Sequence, residues 1–353
     1  MSTSDVTRAG VRGARPDRDA VTGSVHARPD RDAVTGSVHA RPETHPAAGH
    51  ARDGEFRSYH GRPVLNQVPW AARDIAGYLF LGGLAGSSSV LAAGAHLTGR
   101  RALARTAKVT ALGAVTLSLA ALVNDLGRPA RFLNMLRVCK PTSPMSVGSW
   151  LLAGYAPLAG AAAVTELTGR LRAPGTAATV GAALAGPAVA AYTAPLICDT
   201  AVPAWHEGYR EMPFVFVGSG AAAAAGAGLL AAPTGETAPA RRAAVLGAVL
   251  ETAALARMRR RFGPQLAATH RRGRAGPLLR AAEALTAAGA LGAATLGGRS
   301  RWAAALSGAA LLAGSAATRF GVFHAGLASA ADPRYTIVPQ RRRVRDRAGA
   351  GLS

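Results

Sequence analysis

The sequence contains little cysteine, few aromatic residues and few acidic residues, and these shortages exclude several classes of protein and cofactor. Its two cysteines, Cys139 and Cys198, are too few for a disulfide framework, a structural zinc site or an iron–sulfur cluster. Haem b usually needs histidine ligands inside a helical bundle, and only His96 and His324 lie within or beside the apolar segments, both near segment ends. We therefore expect no tightly bound redox centre in this chain.

Basic residues outnumber acidic ones, 41 to 19, which gives a formal net charge of +22. A charge of this size can indicate nucleic-acid binding. Aromatic residues, however, make up only 5% of the chain and provide little surface for base stacking. The arginines lie in the tails and in the connections between apolar segments, where positive charge accumulates in membrane proteins. The charge pattern therefore favours a membrane protein without a nucleic-acid partner.

Long uncharged segments are abundant, since 49% of the residues are hydrophobic and only 17% are charged. A segment of about 20 apolar residues is long enough to cross a bilayer core. We predict eight spans, near 75–97, 107–124, 146–165, 176–198, 213–232, 242–257, 278–297 and 302–320. The sixth is short and contains Glu251, and the seventh contains Arg280 and Glu283. Gly82 and Gly86 predict a close helix–helix contact on the first span.

Two polar tails flank the predicted membrane region at 71–325. Residues 1–70 contain the sequence RPDRDAVTGSVHA twice, at 15–27 and 28–40, and their composition predicts disorder. Residues 326–353 form a basic C-terminal tail. An even number of spans puts both termini on one side, and the larger group of arginines on that side predicts that it is cytoplasmic.

The connection between the second and third spans, NDLGRPARFLNMLRVCKPTSPMSVGSW at 124–150, is basic and has an apolar stripe at helical spacing. Ser143 is predicted to cap the third span, and Pro144 to be its first residue. Arg128, Arg131 and Arg137 could bind either an acidic partner surface or anionic lipid head groups, and the sequence does not separate these two roles.

Four motifs resemble the NrfD/PsrC family, which includes the membrane anchor of polysulfide reductase. They are YHGRPVLNQVPW (59–70), GYLFLGGLAG (77–86), DLGRPARFLNMLRVCKPTSPMSVGSW (125–150) and AYTAPLICDTAVPAWHE (191–207). The third is long and specific, and the resemblance extends from 59 to about 332. It implies two four-helix bundles, no prosthetic group and an exchangeable quinone. It also implies two partners, an iron–sulfur subunit and a molybdopterin catalytic subunit.

The resemblance further implies three quinone-binding residues. Asp74 and Tyr78 match positions where relatives have glutamate and histidine, and Tyr192 matches a quinone-contacting tyrosine. Asp74 and Tyr78 are four residues apart, so they share a helix face. Pro195 predicts a kinked or broken helix beside Tyr192. From the residues alone, Asp74 could instead pair with Arg73, and both tyrosines could be interface or packing residues.

Acidic residues in or beside the spans are candidates for a proton path, because charge at membrane depth is costly. Glu251 and Glu283 are the deepest by sequence, and Asp199 lies on the connection after the fourth span. Asp199 could instead belong to a solvated acidic loop, and Glu283 could form an ion pair with Arg280, three residues away.

These observations predict an all-α plasma-membrane protein that anchors a quinone-linked oxidoreductase complex. It would exchange electrons between the quinone pool and an iron–sulfur and molybdopterin partner. Two alternatives stay open. One is a structural anchor without quinone chemistry. Tyr78 and Asn124 allow it, because a characterised relative uses histidine at the first position and family members commonly have histidine at the second. The other is a secondary transporter, which should have matching interrupted helices in its two halves. Here Pro187 and Pro195 lie in a single span.

Overall fold

The computed structural model describes residues 65, 68, 70–125 and 134–341, together with the backbone of two short strands near the N terminus. These strands, β1 (Asp5–Thr7) and β2 (Gly10–Arg12), pair in antiparallel orientation with Val6 opposite Val11. Both copies of the tail repeat and the residues after 341 lie outside the described residues. The disorder expected for residues 1–70 therefore stays a prediction.

From residue 72 onward the described chain is almost entirely helical. The helices are α1 (Ala72–Leu97), α2 (Arg101–Asp125), α3 (Pro144–Thr168), α4 (Arg172–Cys198), α5 (Pro203–His206), α6 (Met212–Ala231), α7 (Ala238–Ala267), α8 (Ala275–Thr295) and α9 (Arg301–Ala331). Single 3-10 turns occur at Thr234–Glu236 and Ala268–His270, and residues 334–341 are also helical. Each long helix overlaps one of the eight predicted spans.

Six helices, α1, α2, α3, α4, α6 and α9, are long and apolar enough to cross a membrane. The chain is therefore a multi-pass helical membrane protein. The helices α7 and α8 are also long but more polar, and α7 contains Glu251 and the arginines at 257 and 259–261. The last helix, α9, continues past the predicted end of its span at 320 and past 325, the predicted end of the membrane domain.

The long helices form two four-helix bundles, as the resemblance implies. In the first bundle, α1 to α4, and in the second bundle, α6 to α9, each helix contacts its neighbours around a ring. Contacts of α1 and α4 with α6, and of α1 with α9, join the bundles. Successive helices alternate in direction. The start of α1 and the end of α9 therefore lie on one face, here named the terminal face, and the other is named the opposite face.

Glycine allows the helix backbones to touch. A Cβ atom added at Gly86 of α1 would lie 2.3 Å from the carbonyl oxygen of Gly186 in α4. One added at Gly226 of α6 would lie 2.6 Å from the carbonyl oxygen of Gly308 in α9. Because lipid tails are as apolar as helix surfaces, such close packing is a main source of helix association in a membrane. The close contact predicted from Gly86 is thus present.

The short helix α5 anchors the connection between the bundles. Its Trp205 is fully buried, stacks on Trp70 at a centroid distance of 5.8 Å and contacts Phe323 at 5.4 Å. The indole nitrogen donates to the carbonyl oxygen of Val322 at 3.0 Å. The ring packs so closely on Gly326 of α9 that no side chain could be added there. These contacts explain why α9 continues beyond its predicted end, since its last turns cover Trp205.

Two helix boundaries follow from local sequence. Ser143 caps α3 by accepting a hydrogen bond from the amide of Ser146 at 3.4 Å, and Pro144 is the first helical residue, as predicted. Near its end, α7 is interrupted at Gly263, whose φ of 69° is a left-handed value that glycine adopts without strain. The interruption turns the chain toward α8 at the terminal face.

Replacing Gly86 by alanine should destabilise the protein by about 1–3 kcal/mol, because the added methyl group forces α1 away from α4. The matched control is Gly94→Ala on the same helix, where an added Cβ meets nothing within 4 Å. There the higher helix propensity of alanine should leave stability unchanged or raise it by up to about 1 kcal/mol. Thermal unfolding in detergent measures both, and equal behaviour of the two variants would contradict this packing.

Candidate functional site

Asp74 lies in the first turn of α1, at the terminal face of the first bundle, with its side chain 13% exposed. One carboxylate oxygen accepts a hydrogen bond from the side-chain amide of Asn124, in the last turn of α2, at 3.4 Å. The same oxygen lies 3.6 Å from Nε of Arg73, whose side chain is 86% exposed. An ion pair this exposed contributes little to stability. Asp74 is thus a carboxylate close to the surface, and its hydrogen bond with Asn124 connects α1 to α2.

Tyr78 lies one turn deeper on the same face of α1 and is buried. Its carbonyl oxygen accepts a hydrogen bond from the hydroxyl of Ser118 in α2 at 3.4 Å. One turn further, a Cβ atom added at Gly82 would meet Thr193 of α4 at 3.3 Å and Ser118 at 3.8 Å. The stretch of α1 from Tyr78 to Gly82 therefore packs between α2 and α4, inside the first bundle.

Tyr192 of α4 is also buried, with 9% of its surface exposed. Its ring lies against Gly148 of α3, where an added Cβ atom would be only 2.3 Å from the ring. The hydroxyl oxygen is buried and has no hydrogen-bond partner. Nearly all buried polar groups in native proteins are paired. An unpaired tyrosine hydroxyl is therefore a donor available to a ligand that carries an oxygen acceptor.

The four helices of the first bundle thus bring the three predicted quinone residues to the same end of the bundle. Tyr78 and Tyr192 belong to one apolar cluster that also contains Ile75, Leu152 and Ile197. Apolar side chains therefore surround both tyrosine rings. Of the two outcomes predicted for Pro195, a kink or a break, the break does not occur, because α4 remains helical as far as Cys198.

The three predicted proton-path residues have different environments. Asp199 immediately follows α4 and is exposed at the terminal face. Glu283 of α8 is 41% exposed and forms an ion pair with Arg259 of α7, rather than with Arg280. Glu251 of α7 is buried at 4% exposure in the second bundle. Of the three, it is the one that lies deep inside the protein.

Glu251 is only partly hydrogen-bonded. One carboxylate oxygen accepts a bond from the hydroxyl of Thr318 in α9 at 2.5 Å, and the other is buried without a partner. The backbone of α6 is close, since a Cβ atom added at Gly218 would lie 2.6 Å from the amide nitrogen of Glu251. A carboxyl group with a free oxygen in this setting can exchange a proton with water that enters the bundle.

Arg319, which sequence reasoning missed, is a fully buried charge between the bundles. It donates to the carbonyl oxygens of Leu79 in α1 at 3.3 Å and of Phe216 in α6 at 2.8 Å. Its guanidinium lies 3.8 Å above the ring of Phe216, a favourable cation–π geometry. Arg319 therefore connects α9 to both α1 and α6. Arg319 lies one residue before the predicted end of the eighth span. An arginine at such a position is normally expected at the membrane surface, so the sequence did not indicate that it is buried.

A network of charged groups holds the terminal face of the second bundle. Arg261 at the end of α7 binds both carboxylate oxygens of Glu211 through Nε at 3.0 Å, and its Nη2 lies 2.7 Å from one of them. Arg261 also donates to the carbonyl oxygen of Glu207. The hydrogen bonds from Arg261 hold the pKa of Glu211 below its ordinary value. The connection that contains α5 is thereby tied to α7.

A cavity of about 450 Å³ opens beside this network at the terminal face. It lies between the α4–α6 connection, the end of α7 and the helical residues 334–341, and its walls include His206, Phe262, Tyr335 and Gln340. Arg137 is exposed on the α2–α3 connection at the terminal face, whereas Arg128 and Arg131 lie outside the described residues. The terminal face thus has both a basic segment and a cavity.

The family model for polysulphide reductase NrfD matches residues 64–246, which is more than half of the chain. The chain belongs to the NrfD family. The match includes α1 to α6 and the first turns of α7, and therefore the predicted site residues Asp74, Tyr78 and Tyr192. No curated protein matches the chain.

Family membership gives the coarse function. NrfD proteins are typically membrane-anchor subunits of oxidoreductases and associate with other redox subunits. Most of α7 and the whole of α8 and α9 lie beyond the matched residues, and with them Glu251, Glu283 and Arg319. The resemblance inferred from the sequence is thus confirmed for the first bundle and its connection to the second.

Stability should fall at acidic pH because of His270, in the 3-10 turn at the terminal face. Burial, together with nearby Arg259, lowers its pKa from 6.5 to about 3, and neither ring nitrogen has a hydrogen-bond partner. A histidine that stays neutral when folded but is protonated when unfolded removes stability as pH falls from about 6.5 toward 3. His270→Leu should therefore have a flatter dependence of melting temperature on pH between 7.5 and 5. Parallel curves for the two proteins would contradict this assignment.

Proposed function

We propose that this NrfD-family chain is the quinone-binding anchor of an oxidoreductase complex in the plasma membrane. It exchanges electrons between the quinone pool and an iron–sulfur subunit, which passes them to or from a molybdopterin catalytic subunit. The observation that carries the proposal is the hydroxyl of Tyr192, which is buried in the first bundle without a partner. Tyr78 in the same apolar cluster and Asp74 near the surface support it.

The chemistry requires two acceptor atoms and two protons. Reduction of a quinone to a quinol takes up two electrons and two protons, and both carbonyl oxygens become hydroxyl groups. In the proposal, Tyr192 donates a hydrogen bond to one carbonyl oxygen and Tyr78 orients the other side of the ring. Asp74, which accepts from Asn124 at 3.4 Å, is the nearest carboxylate on that face of α1. The apolar cluster excludes bulk water and accommodates the ring.

Among the predicted proton-path residues, Glu251 fits that role best in this proposal, because one of its oxygens is buried and unpaired. Asp199 would exchange protons with solvent at the terminal face, where it is exposed. Glu283 is engaged by Arg259, so its charge is already compensated by the ion pair. Its contribution to a path would need that pair to open.

The proposed topology has eight spans, with α7 and α8 crossing the membrane beside the six apolar helices. Both termini are cytoplasmic in this arrangement, and the terminal face receives the partner subunits. Exposed Arg137 lies on that face, and Arg128 and Arg131 belong to the same basic connection. A site near this face places quinone close to the docked iron–sulfur subunit. Quinone is the exchangeable cofactor of this chain, and all other redox centres belong to the partners.

Tyr192→Phe should lower quinone-analogue turnover by the purified complex by about tenfold or more, since a hydrogen bond to a ligand carbonyl is lost. It should not destabilise the ligand-free protein, because the hydroxyl has no partner there. The matched control is Tyr209→Phe, an exposed tyrosine of the terminal face. Unchanged turnover in Tyr192→Phe would exclude this tyrosine from the site.

Gentle detergent extraction of the tagged chain from its native membrane should recover an iron–sulfur subunit and a molybdopterin subunit, identified by mass spectrometry. Replacing Arg128, Arg131 and Arg137 together by serine should remove those partners while the chain remains in the membrane. Retention of the partners by the triple variant would assign these arginines to lipid head groups instead. A wild-type chain recovered alone would contradict the anchor function.

A further inference from the structure

A groove of about 570 Å³ lies between α7 and α8 at the opposite face of the second bundle. Its walls are Ala294 of α8 and five residues from the first three turns of α7, among them Arg241, Arg242, Val245 and Leu246. The volume is within the range of roughly 300–1,000 Å³ that ligand pockets have. This α7–α8 groove lies in the other bundle and at the other face from the proposed quinone site, so a ligand bound in it would be distinct from the quinone.

The two arginines of the groove have no carboxylate partner among the described residues. Nε of Arg241 is buried and has no hydrogen-bond partner. The guanidinium of Arg241 packs against the α8–α9 connection, where a Cβ atom added at Gly298 would lie 2.7 Å from Nη1. Arg242 is exposed. A buried donor without an acceptor costs free energy, so the groove offers hydrogen-bond donors and positive charge to an anion.

Charged groups near the groove are already engaged by other parts of the protein. Glu236, in the 3-10 turn before α7, accepts a hydrogen bond from the amide of Leu103 in α2 at 3.0 Å. Arg301 donates to the carbonyl oxygen of Leu229 at 2.6 Å and to that of Leu230, both at the end of α6. The first turn of α7 contains no acidic residue, and a helix N terminus itself carries partial positive charge. Groups of the described chain therefore leave the positive charge of the groove unbalanced.

Exposed aromatic and apolar residues place the groove at the membrane surface. Trp302, in the first turn of α9, is 81% exposed, and tryptophan is typical of the membrane–water interface. Toward the membrane centre, Arg241 is followed four residues later by Val245, which is exposed on the same face of α7. Arg242 is followed in the same way by exposed Leu246. Each arginine thus lies one helical turn above an apolar side chain that faces lipid.

Polarity changes along the groove as it does along a phospholipid. The arginines lie at the surface, and the apolar residues follow toward the membrane centre. Basic pockets between transmembrane helices bind anionic lipid head groups, whereas a soluble anion would need only the outer part of the groove. The positive-inside bias does not account for these arginines, because the proposed topology puts the opposite face outside the cytoplasm. Charge complementarity and the apolar wall therefore both favour an anionic phospholipid.

We propose that the α7–α8 groove binds a phospholipid whose head group carries a net negative charge. The lipid phosphate accepts hydrogen bonds from Arg241 and Arg242, and an acyl chain lies along Val245 and Leu246. This inference goes beyond the quinone chemistry and rests on one part of the proposed function, the topology in which α7 and α8 cross the membrane.

The bound lipid would complete the contact between two helices that are more polar than the other spans. An ion pair between Arg259 and Glu283 joins α7 to α8 in the half of these helices nearer the terminal face. At the opposite face the groove separates them. Neither helix is among the six that are apolar enough to cross a membrane by composition. A lipid in the groove therefore stabilises the weakest pair of spans at the end where the protein leaves space between them.

The test uses the purified protein, with any partner subunits that accompany it, after native lipid has been removed in detergent. The probe is phosphatidylglycerol, and the comparisons are phosphatidylcholine with the same acyl chains and inorganic phosphate. Phosphatidylglycerol should bind, as measured by native mass spectrometry, and should raise the melting temperature. An arginine near an anionic lipid contributes about fivefold to affinity, so the double variant Arg241→Gln, Arg242→Gln should bind this lipid about 25-fold more weakly.

The matched control is Arg105→Gln in α2. Arg105 is exposed at the opposite face and is the fifth residue of its helix, as Arg242 is of α7, but it does not line the groove. This variant should bind phosphatidylglycerol as the wild type does. If the double variant fails to fold, Arg242→Gln alone decides the outcome, because its side chain is exposed. It should weaken binding by about fivefold.

Four results would overturn the lipid site. They are equal affinity for phosphatidylcholine, an equal loss of affinity in the Arg105 control, and a melting temperature that inorganic phosphate raises as much as the lipid does. The fourth is a dimer that persists without lipid and dissociates in the double variant, because it would assign the groove to a second copy of the chain.

A separate measurement tests the topology on which the inference rests. Single cysteines at exposed positions of the connections before and after α7, Gly235→Cys and Arg272→Cys, are labelled with a membrane-impermeant maleimide in sealed vesicles. Exposed Cys139 is first replaced by serine, whereas Cys198 is buried. Labelling from opposite compartments supports the crossing of α7, and labelling from one compartment would overturn the site. Lipid binding that depends on the arginines, in a protein that transfers no electrons to a quinone analogue, would remove the quinone function and support the lipid site.

Discussion

Close packing between helix backbones holds both bundles together. In a membrane, transferring an apolar helix surface from lipid to a protein interface lowers the free energy little. Helices therefore associate through dispersion contacts and hydrogen bonds. The bundles meet these conditions at glycines such as Gly86 against Gly186 and Gly226 against Gly308, where no side chain could be added. The abundance of alanine and glycine, which makes each span only moderately hydrophobic, is what allows the helices to approach so closely.

Close approach in turn determines where polar side chains can be placed. Between small residues, a long side chain can reach the backbone of another helix, as Arg319 does with carbonyl groups of α1 and α6. Trp205 likewise donates to the backbone of α9. In the first bundle, Lys108 finds partners on two other helices. The buried hydroxyl of Tyr192, by contrast, has no hydrogen-bond partner within the protein.

The candidate site was predictable in part. Asp74, Tyr78 and Tyr192 followed from their matches to the family motifs, and a four-residue spacing added that Asp74 and Tyr78 share a helix face. The sequence did not indicate that Asp74 accepts a hydrogen bond from Asn124, or that the ring of Tyr192 packs against Gly148. Those contacts join residues far apart in the chain. Arg319 illustrates the same limit, because an arginine near a predicted span end is normally placed at the membrane surface.

The long helices and the family follow from local patterns in the sequence. Apolar length, charge between the segments and the capping pair of Ser143 and Pro144 located eight long helices, and the motifs identified the NrfD family. These are properties of neighbouring residues, so local physics is sufficient. The sequence did not indicate which polar groups are buried together, because that depends on the rotation and the neighbours of each helix in the fold. The fold assembled His96, Lys108, Glu166 and Thr176 from four helices into one network, and it left Tyr192 without a protein partner.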